Sequence, residues 1–176
     1  PKTIAKPLKK GDEVVTVATS STIDDEKPLL DGIKVLESWG LVCRPQFVSE
    51  RKWGYLAGTD ASRYKDLHPK DPAPLQAFAR GGWGSARLLE QPQPWKKGFL
   101  LGFSDITSLL LARLSAGFDG GIHGPLLTSL AKEPNWSKER LHSLLFGNSI
   151  PDLEGDSWKE GLARGPLVIA NLTVGS

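Results

Sequence analysis

The chain is poor in sulfur-containing residues: among 176 residues it has one cysteine, Cys43, and no methionine. A single cysteine excludes an internal disulfide framework and suits a reducing compartment. No apolar run approaches the roughly 18 residues that a membrane-spanning helix needs. The basic start, residues 1–6, is not followed by the apolar region of a signal peptide. These absences predict a soluble cytoplasmic protein without membrane contact.

The chain also lacks an excess of charge of either sign, since 22 basic residues face 20 acidic ones and the formal net charge is +2. This balance gives no electrostatic case for a nucleic-acid partner, and the six tryptophans are too scattered to form a stacking platform. No spacing of histidine, cysteine and carboxylate residues resembles a metal site. The sequence therefore predicts no nucleic-acid partner, no metal and no cofactor.

Hydrophobic residues make up 39% of the chain, enough for a packed core in one domain or in one domain and the start of a second. The β-branched run Glu13–Ala18 predicts a buried strand, and the apolar spacing within residues 25–39 predicts a helix that ends at Gly40. Residues 41–43 then predict a second strand. A strand, a helix and a strand in about 30 residues form a βαβ unit, which implies a parallel sheet covered by helices.

The same kind of pattern continues as far as Ile150. The predicted elements are strands over 75–79 and 99–103 and at Ile122, and helices over 60–67, 85–90, 106–114 and 137–146, the last capped by Ser137 and stopped by Gly147. We interpret residues 1–150 as one α/β domain. Residues 151–176 are interpreted as a connection followed by a strand, Leu167–Val174, that starts a β-rich second domain.

Gly102-Phe103-Ser104-Asp105 lies between a predicted strand and a predicted helix. A serine at such a turn is held at the carboxyl edge of the sheet, where the N–H of the next residue can stabilise an oxyanion. The alternative is that Ser104 only caps the helix, as serine commonly does. The match to G-x-S-x-G is incomplete because Ile106 occupies the last glycine position.

Arg80-Gly81-Gly82-Trp83-Gly84 follows another predicted strand. Its glycines allow a close approach of the backbone to a ligand, although they could also serve only a tight turn. The segment matches neither a phosphate-binding loop nor a dinucleotide fingerprint. Because both loops follow strands of one parallel sheet, we expect Gly81 and Gly82 to lie beside Ser104 at the end of a central strand.

A serine nucleophile needs a general base, and the chain offers three histidines. His68 is predicted to cap the C-terminus of a helix or to interact with its dipole, and His142 is predicted to be solvated on a helix. His123 could border the site, but we assign it a structural hydrogen-bonding role. None of the three is a strong candidate base.

Several segments, taken in order, resemble the N-terminal domain of the LD-carboxypeptidase family of serine peptidases, and together they span nearly the whole chain. They are Leu8 with Gly11-Asp12, Val17-Ala18 with Ser20-Ser21, Gly54–Asp60 with Arg63 and Asp66-Leu67, Ala79–Gly84 with Arg87–Leu89, Gly102–Thr107, His123–Pro125 and Asn171-Leu172. The resemblance implies a three-layer fold, a parallel sheet flanked by helices, of the flavodoxin-like or class I amidotransferase-like type. It also implies a smaller β-rich second domain and assembly as a homodimer.

The resemblance further implies a site. Ser104 would be the nucleophile, and the oxyanion donors would be the N–H of Asp105 and that of Gly81 or Gly82, with Gly82 preferred. Arg80 and Trp83 would contact the substrate, Trp83 standing where the family often has tyrosine. The family's triad Glu and His belong to the second domain, and no residue of this chain matches them. The stretch between Gly84 and Ser104 is also shorter than the family pattern.

The implied activity is hydrolysis of the L,D-peptide bond that releases terminal D-alanine from murein tetrapeptide in cell-wall recycling. A related branch cleaves an antibiotic peptide-nucleotide conjugate and gives self-immunity. The competing class is a non-catalytic α/β ligand-binding module, which the missing base would also explain. We expect the chain alone to be inactive as a carboxypeptidase and a protein extended past Ser176 to be active.

Overall fold

A computed structural model describes residues 5–175. Five strands form one sheet in the order β2-β1-β3-β4-β5, and every neighbouring pair is parallel. Their bounds are β1 Glu13–Val17, β2 Val42–Cys43, β3 Leu75–Phe78, β4 Phe99–Gly102 and β5 Gly121–His123. This arrangement confirms the predicted α/β fold. The strand before Ser104, β4, is internal and has parallel neighbours on both sides, as predicted.

Six α-helices and three short 3-10 helices are described between residues 5 and 175. The α-helices are α1 Lys27–Ser38, α2 Asp60–Leu67, α3 Thr107–Ser115, α4 Leu127–Leu130, α5 Asn135–Phe146 and α6 Leu172–Gly175. The 3-10 helices are Val48–Glu50, Ala86–Glu90 and Ser104–Ile106. None of the helices in this described part is long and apolar enough to cross a bilayer.

The helices cover the sheet on both faces and give two apolar cores, as a three-layer fold requires. One core contains Leu29 of α1, Leu127 of α4 and Leu145 of α5. The other contains Leu88 of the 3-10 helix Ala86–Glu90 and Leu109 of α3. Gly32 permits the close approach of α1 to α4, because a Cβ there would lie 1.9 Å from the carbonyl oxygen of Leu127.

The local chemistry of the helix ends follows the sequence in most places. Thr59 caps α2 by accepting a hydrogen bond from the N–H of Ser62. Gly147 ends α5 in the left-handed conformation, with φ 74°. The predicted cap Ser137 is wrong: α5 begins two residues earlier, after Pro134, and the Ser137 hydroxyl donates to a carboxylate oxygen of Glu133 at 2.7 Å.

The predicted strand over Leu167–Val174 is also wrong. Residues 151–171 contain neither helix nor strand, and residues 172–175 form the short helix α6. The apolar side chains of this segment stay largely outside the core; Leu167, for example, is 82% exposed. A β-branched run forms a strand only where a neighbouring strand pairs with it, and no described strand does so here.

Candidate active site

Ser104 occupies a sharp turn between β4 and α3. The chain leaves β4 at Gly102, is extended at Phe103, and enters a 3-10 turn at Ser104 that leads directly into α3. Ser104 has φ 62°, a left-handed conformation that no other non-glycine residue among those described adopts. Such strain in a bulkier residue than glycine is often found at functional sites, and the strand-turn-helix geometry is that of a nucleophile elbow.

The turn is tight because of its neighbours. A Cβ on Gly102 would lie 3.1 Å from Cγ2 of Ile106 and 3.2 Å from Cβ of Phe78. Ser104 does not cap the helix in the structure, contrary to the alternative interpretation. The residues in the capping positions are Phe103 and Ile106, and neither end carries a side-chain cap hydrogen bond. The Ser104 side chain is half-buried and is therefore partly open to solvent.

The glycine loop, Arg80–Gly84 after β3, lies directly beside Ser104. A Cβ added to Gly81 would stand 3.1 Å from the Cβ of Ser104 and 3.2 Å from its Oγ. Gly82 has φ 110°, and a Cβ there would fall 2.0 Å from the Oγ of Ser21. The two predicted neighbours of Ser104 therefore face different partners: Gly81 contacts Ser104, and Gly82 contacts the loop after β1.

Hydrogen bonds from Ser21 fix the orientation of this glycine loop. The Ser21 N–H donates to the carbonyl of Gly81 at 3.2 Å, and the Ser21 hydroxyl accepts from the N–H of Trp83 at 3.3 Å. The Gly81–Gly82 peptide is trans, since none of the described peptide bonds is cis. The N–H of Gly82 therefore points to the side opposite Ser21.

The two predicted substrate contacts lie on the same loop. Trp83 is 66% exposed. The guanidinium of Arg80 folds back to the loop after β1, donating to the carbonyl of Thr22 at 2.5 Å and lying 3.5 Å from a carboxylate oxygen of Asp24. Its side chain is still 44% exposed. Both side chains are thus partly open to solvent, and their contact with substrate stays a prediction.

The structure contains a buried polar network around Asp105 that the sequence did not reveal. The carboxylate of Asp105 accepts a hydrogen bond from the Ser20 hydroxyl at 2.7 Å and one from the Ser85 N–H at 2.9 Å. The Ser85 hydroxyl lies 2.8 Å from that of Ser20 and 2.9 Å from that of Thr19. Ser20-Ser21 was part of the resemblance, but the partners of Ser20 are too distant in sequence for spacing to reveal them.

Arg63 is fully buried and binds the two loops that supply the serines of this network. Its guanidinium donates to the carbonyl oxygens of Thr19 at 2.5 Å and Gly84 at 2.9 Å. It also lies 2.6 Å from a carboxylate oxygen of Asp60. The helix α2 thereby holds the loop after β1 and the glycine loop in place with one side chain.

The three histidines lie in different surroundings. His123 pairs with Gly102 across the sheet, and its ring centroid is 6.1 Å from that of Phe103. Burial lowers the pKa of His123, and its Nδ1 is buried with no hydrogen-bond partner among the described residues. The hydrogen-bonding role predicted for this ring is therefore not seen at Nδ1. A lowered pKa favours the neutral imidazole.

His68 ends α2, as predicted, and its Nε2 lies 2.8 Å from the side-chain oxygen of Gln93. Burial lowers the pKa of His68, while the bond to Gln93 opposes that shift. His142 was predicted to be solvated, which is wrong. It is half-buried, stacked on Phe146 with a centroid distance of 4.4 Å and set edge-on to Trp39.

Comparison with known proteins assigns the chain to a family. A family model described as the LD-carboxypeptidase N-terminal domain matches residues 14–124, more than half of the chain. The chain belongs to the LD-carboxypeptidase family. The match includes β1 to β5 almost entirely, together with Ser104 and the glycine loop.

The curated relatives of this chain carry carboxypeptidase names. A Synechocystis sp. protein is 41% identical over 174 residues, which cover 96% of this chain and 58% of that protein. The murein tetrapeptide carboxypeptidase of Pseudomonas aeruginosa is 38% identical over 112 residues, 54% of this chain and 34% of that enzyme. Among solved structures, the microcin C7 self-immunity protein MccF in complex with glutamyl sulfamoyl guanosine has a TM-score of 0.69 at 20% identity.

The match to MccF covers 87% of this chain and 48% of that protein, and at this identity it shows the shared fold alone. The chain spans about half the length of most of the curated relatives that it matches.

Proposed function

We propose that the protein is a serine carboxypeptidase that hydrolyses the L,D-peptide bond next to a terminal D-alanine in murein tetrapeptide, in the recycling of cell wall. One observation carries the proposal: Ser104 adopts φ 62° in an elbow after β4, with Gly81 in contact with its side chain. Membership of the LD-carboxypeptidase family and the carboxypeptidase names of the relatives support the class of reaction.

The proposed chemistry starts with attack of the Ser104 hydroxyl oxygen on the scissile carbonyl carbon. The hydroxyl proton passes to a general base as the C–O bond forms, and the carbonyl oxygen becomes an oxyanion. The N–H groups of Asp105 and Gly82 would donate to this oxyanion, and the N-terminus of α3 adds a favourable dipole. The base then gives its proton to the departing amine of D-alanine, and water hydrolyses the remaining ester.

We place the general base outside this chain. His68 and His142 are engaged by Gln93 and by aromatic rings, away from the Ser104 turn. His123 is the histidine that lies next to the end of β4, but its ring packs beside Phe103. A histidine and a glutamate from a following domain, as in the family, would complete the triad.

Two other functions follow from specific observations. The likeness to MccF, whose structure contains glutamyl sulfamoyl guanosine, makes a self-immunity peptidase acting on an antibiotic peptide-nucleotide conjugate the second candidate. A non-catalytic binding module is the third, because none of the chain's own histidines is suitably placed as a base. We also propose that residues 151–176 lead into a second domain and that the whole protein is a cytoplasmic homodimer.

The test compares the release of D-alanine from murein tetrapeptide by three proteins. They are the chain of residues 1–176, the protein extended past Ser176, and that extended protein with Ser104→Ala. We expect turnover only by the extended protein with Ser104, and only a residual acceleration of about 10³–10⁴ over water when a triad member is missing. Full turnover by the short chain would identify one of its own histidines, with His123 foremost, as the base.

Cleavage of an aminoacyl sulfamoyl nucleoside in place of the tetrapeptide would favour the self-immunity function. An extended protein that binds such peptides without cleaving any D-amino-acid-containing peptide would favour the binding module.

A further inference from the structure

The carboxylate of Asp105 is bound from two loops at once. Its Oδ2 accepts from the Ser20 hydroxyl, which follows β1, and from the Ser85 N–H, which follows β3. Asp105 itself lies in the turn after β4. Ser20 and Ser85 have no exposed surface, and Asp105 is 6% exposed. One oxygen atom therefore joins three loops that meet at the carboxyl edge of neighbouring strands.

This buried charge depends on hydrogen bonds. Within residues 5–175, no lysine, arginine or histidine nitrogen lies within 4.0 Å of the Asp105 carboxylate, and the nearby Arg63 is taken up by Asp60 and by backbone carbonyls. A buried carboxylate without a cation must be satisfied by donors, here the Ser20 hydroxyl and the Ser85 amide, with help from the dipole at the start of α3. Loss of one donor leaves a strongly unfavourable group in the interior.

The loop that contains Ser20 also binds the glycine loop, Arg80–Gly84, through Ser21. The residue after Ser20 donates its N–H to the carbonyl of Gly81 and accepts from the N–H of Trp83. The carbonyl of Ser20 accepts a hydrogen bond from the N–H of Ala57 at 2.9 Å, which anchors this loop to the segment before α2. Movement of Ser20 would therefore shift both the glycine loop and the serine turn.

We propose that Ser20 is a positioning residue, whose hydroxyl holds the Asp105 carboxylate so that the backbone N–H groups of Asp105 and of the glycine loop keep one fixed separation. This inference rests on the proposed function. Oxyanion donors act on the transition state, and displacement by about 1 Å can lower a rate by about 100-fold. Removal of the Ser20 hydroxyl should therefore lower kcat and leave KM nearly unchanged.

The test uses the extended protein and two buried-hydroxyl deletions, Ser20→Ala and Thr19→Val. Thr19 is a matched control because its hydroxyl is equally buried and lies 2.9 Å from that of Ser85, but has no hydrogen bond to Asp105. For Ser20→Ala we expect kcat to fall by about 10- to 100-fold with KM within about twofold. A peptide boronic acid, which mimics the tetrahedral intermediate, should lose affinity by the same factor as kcat.

A second measurement separates positioning from loss of folding. Hydrogen exchange in segments 79–85 and 103–107 should become faster in Ser20→Ala and stay unchanged in Thr19→Val, while both variants keep the circular dichroism of the parent. Equal kcat values for Ser20→Ala and Thr19→Val, or a change confined to KM, would overturn the inference. A parent protein without hydrolytic activity would instead refute the proposed function, and the exchange measurement would still decide whether Ser20 joins the two loops.

Discussion

At the scale of single residues, the site depends on the backbone conformation of Ser104 and on the absence of a side chain at Gly81. Ser104 takes the left-handed conformation, and Gly81 leaves just enough room for its side chain. The motif around Ser104 was visible in the sequence, because a strand, a serine and a helix follow one another without interruption. The role of the Asp105 side chain was not visible, since its partners are 85 and 20 positions away in the chain.

The contact between Gly81 and Ser104 gives a residue-scale prediction. In Gly81→Ala, the new Cβ would lie 3.1–3.2 Å from the Ser104 side chain and 3.5 Å from Leu126, so the serine must move. We expect kcat for D-alanine release to fall by about 100-fold, because small displacements of a nucleophile are costly. Gly155→Ala is the control, as no atom lies within 4 Å of a Cβ there. Wild-type turnover by Gly81→Ala would show that this contact does not position Ser104.

At the scale of elements, the sequence predicted most strands and helices to within one or two residues. The βαβ pattern and the helix stop at Gly147 were readable because local spacing and capping chemistry determine them. The run Leu167–Val174 was misread, since its β-branched residues favour a strand only where a partner strand exists. The function of α2 was also hidden: Arg63 appeared in the family resemblance, but its carbonyl partners come from two other loops.

Arg63 provides the element-scale prediction. Arg63→Ala would leave the carbonyls of Thr19 and Gly84 and the carboxylate of Asp60 without this buried donor. We expect the free energy of unfolding in urea to fall by about 3 kcal/mol or more. Arg87→Ala is matched to it, because Arg87 also pairs with Asp60, at 2.7 Å, but is 58% exposed; its cost should be about 0–1 kcal/mol. Equal losses in the two variants would refute the proposed support of both loops by Arg63.

At the scale of the whole molecule, the strand order explains why the site forms where it does. In the order β2-β1-β3-β4-β5 the chain changes direction between β1 and β3, and ligands of such sheets bind outside the carboxyl ends of the strands at that point. The loops that carry Ser20 and Gly81 follow β1 and β3, and Ser104 follows β4. The fold class was predictable from the alternation of elements, but the strand order depends on pairing between distant segments.

Covalent labelling is the sharpest test of Ser104 as the nucleophile. The extended protein is treated with a fluorophosphonate probe, digested, and examined by mass spectrometry, with Ser104→Ala as the control. We expect one adduct, on the peptide that contains Ser104, with loss of D-alanine release in proportion to labelling. An adduct on another residue, or full D-alanine release by Ser104→Ala, would contradict it.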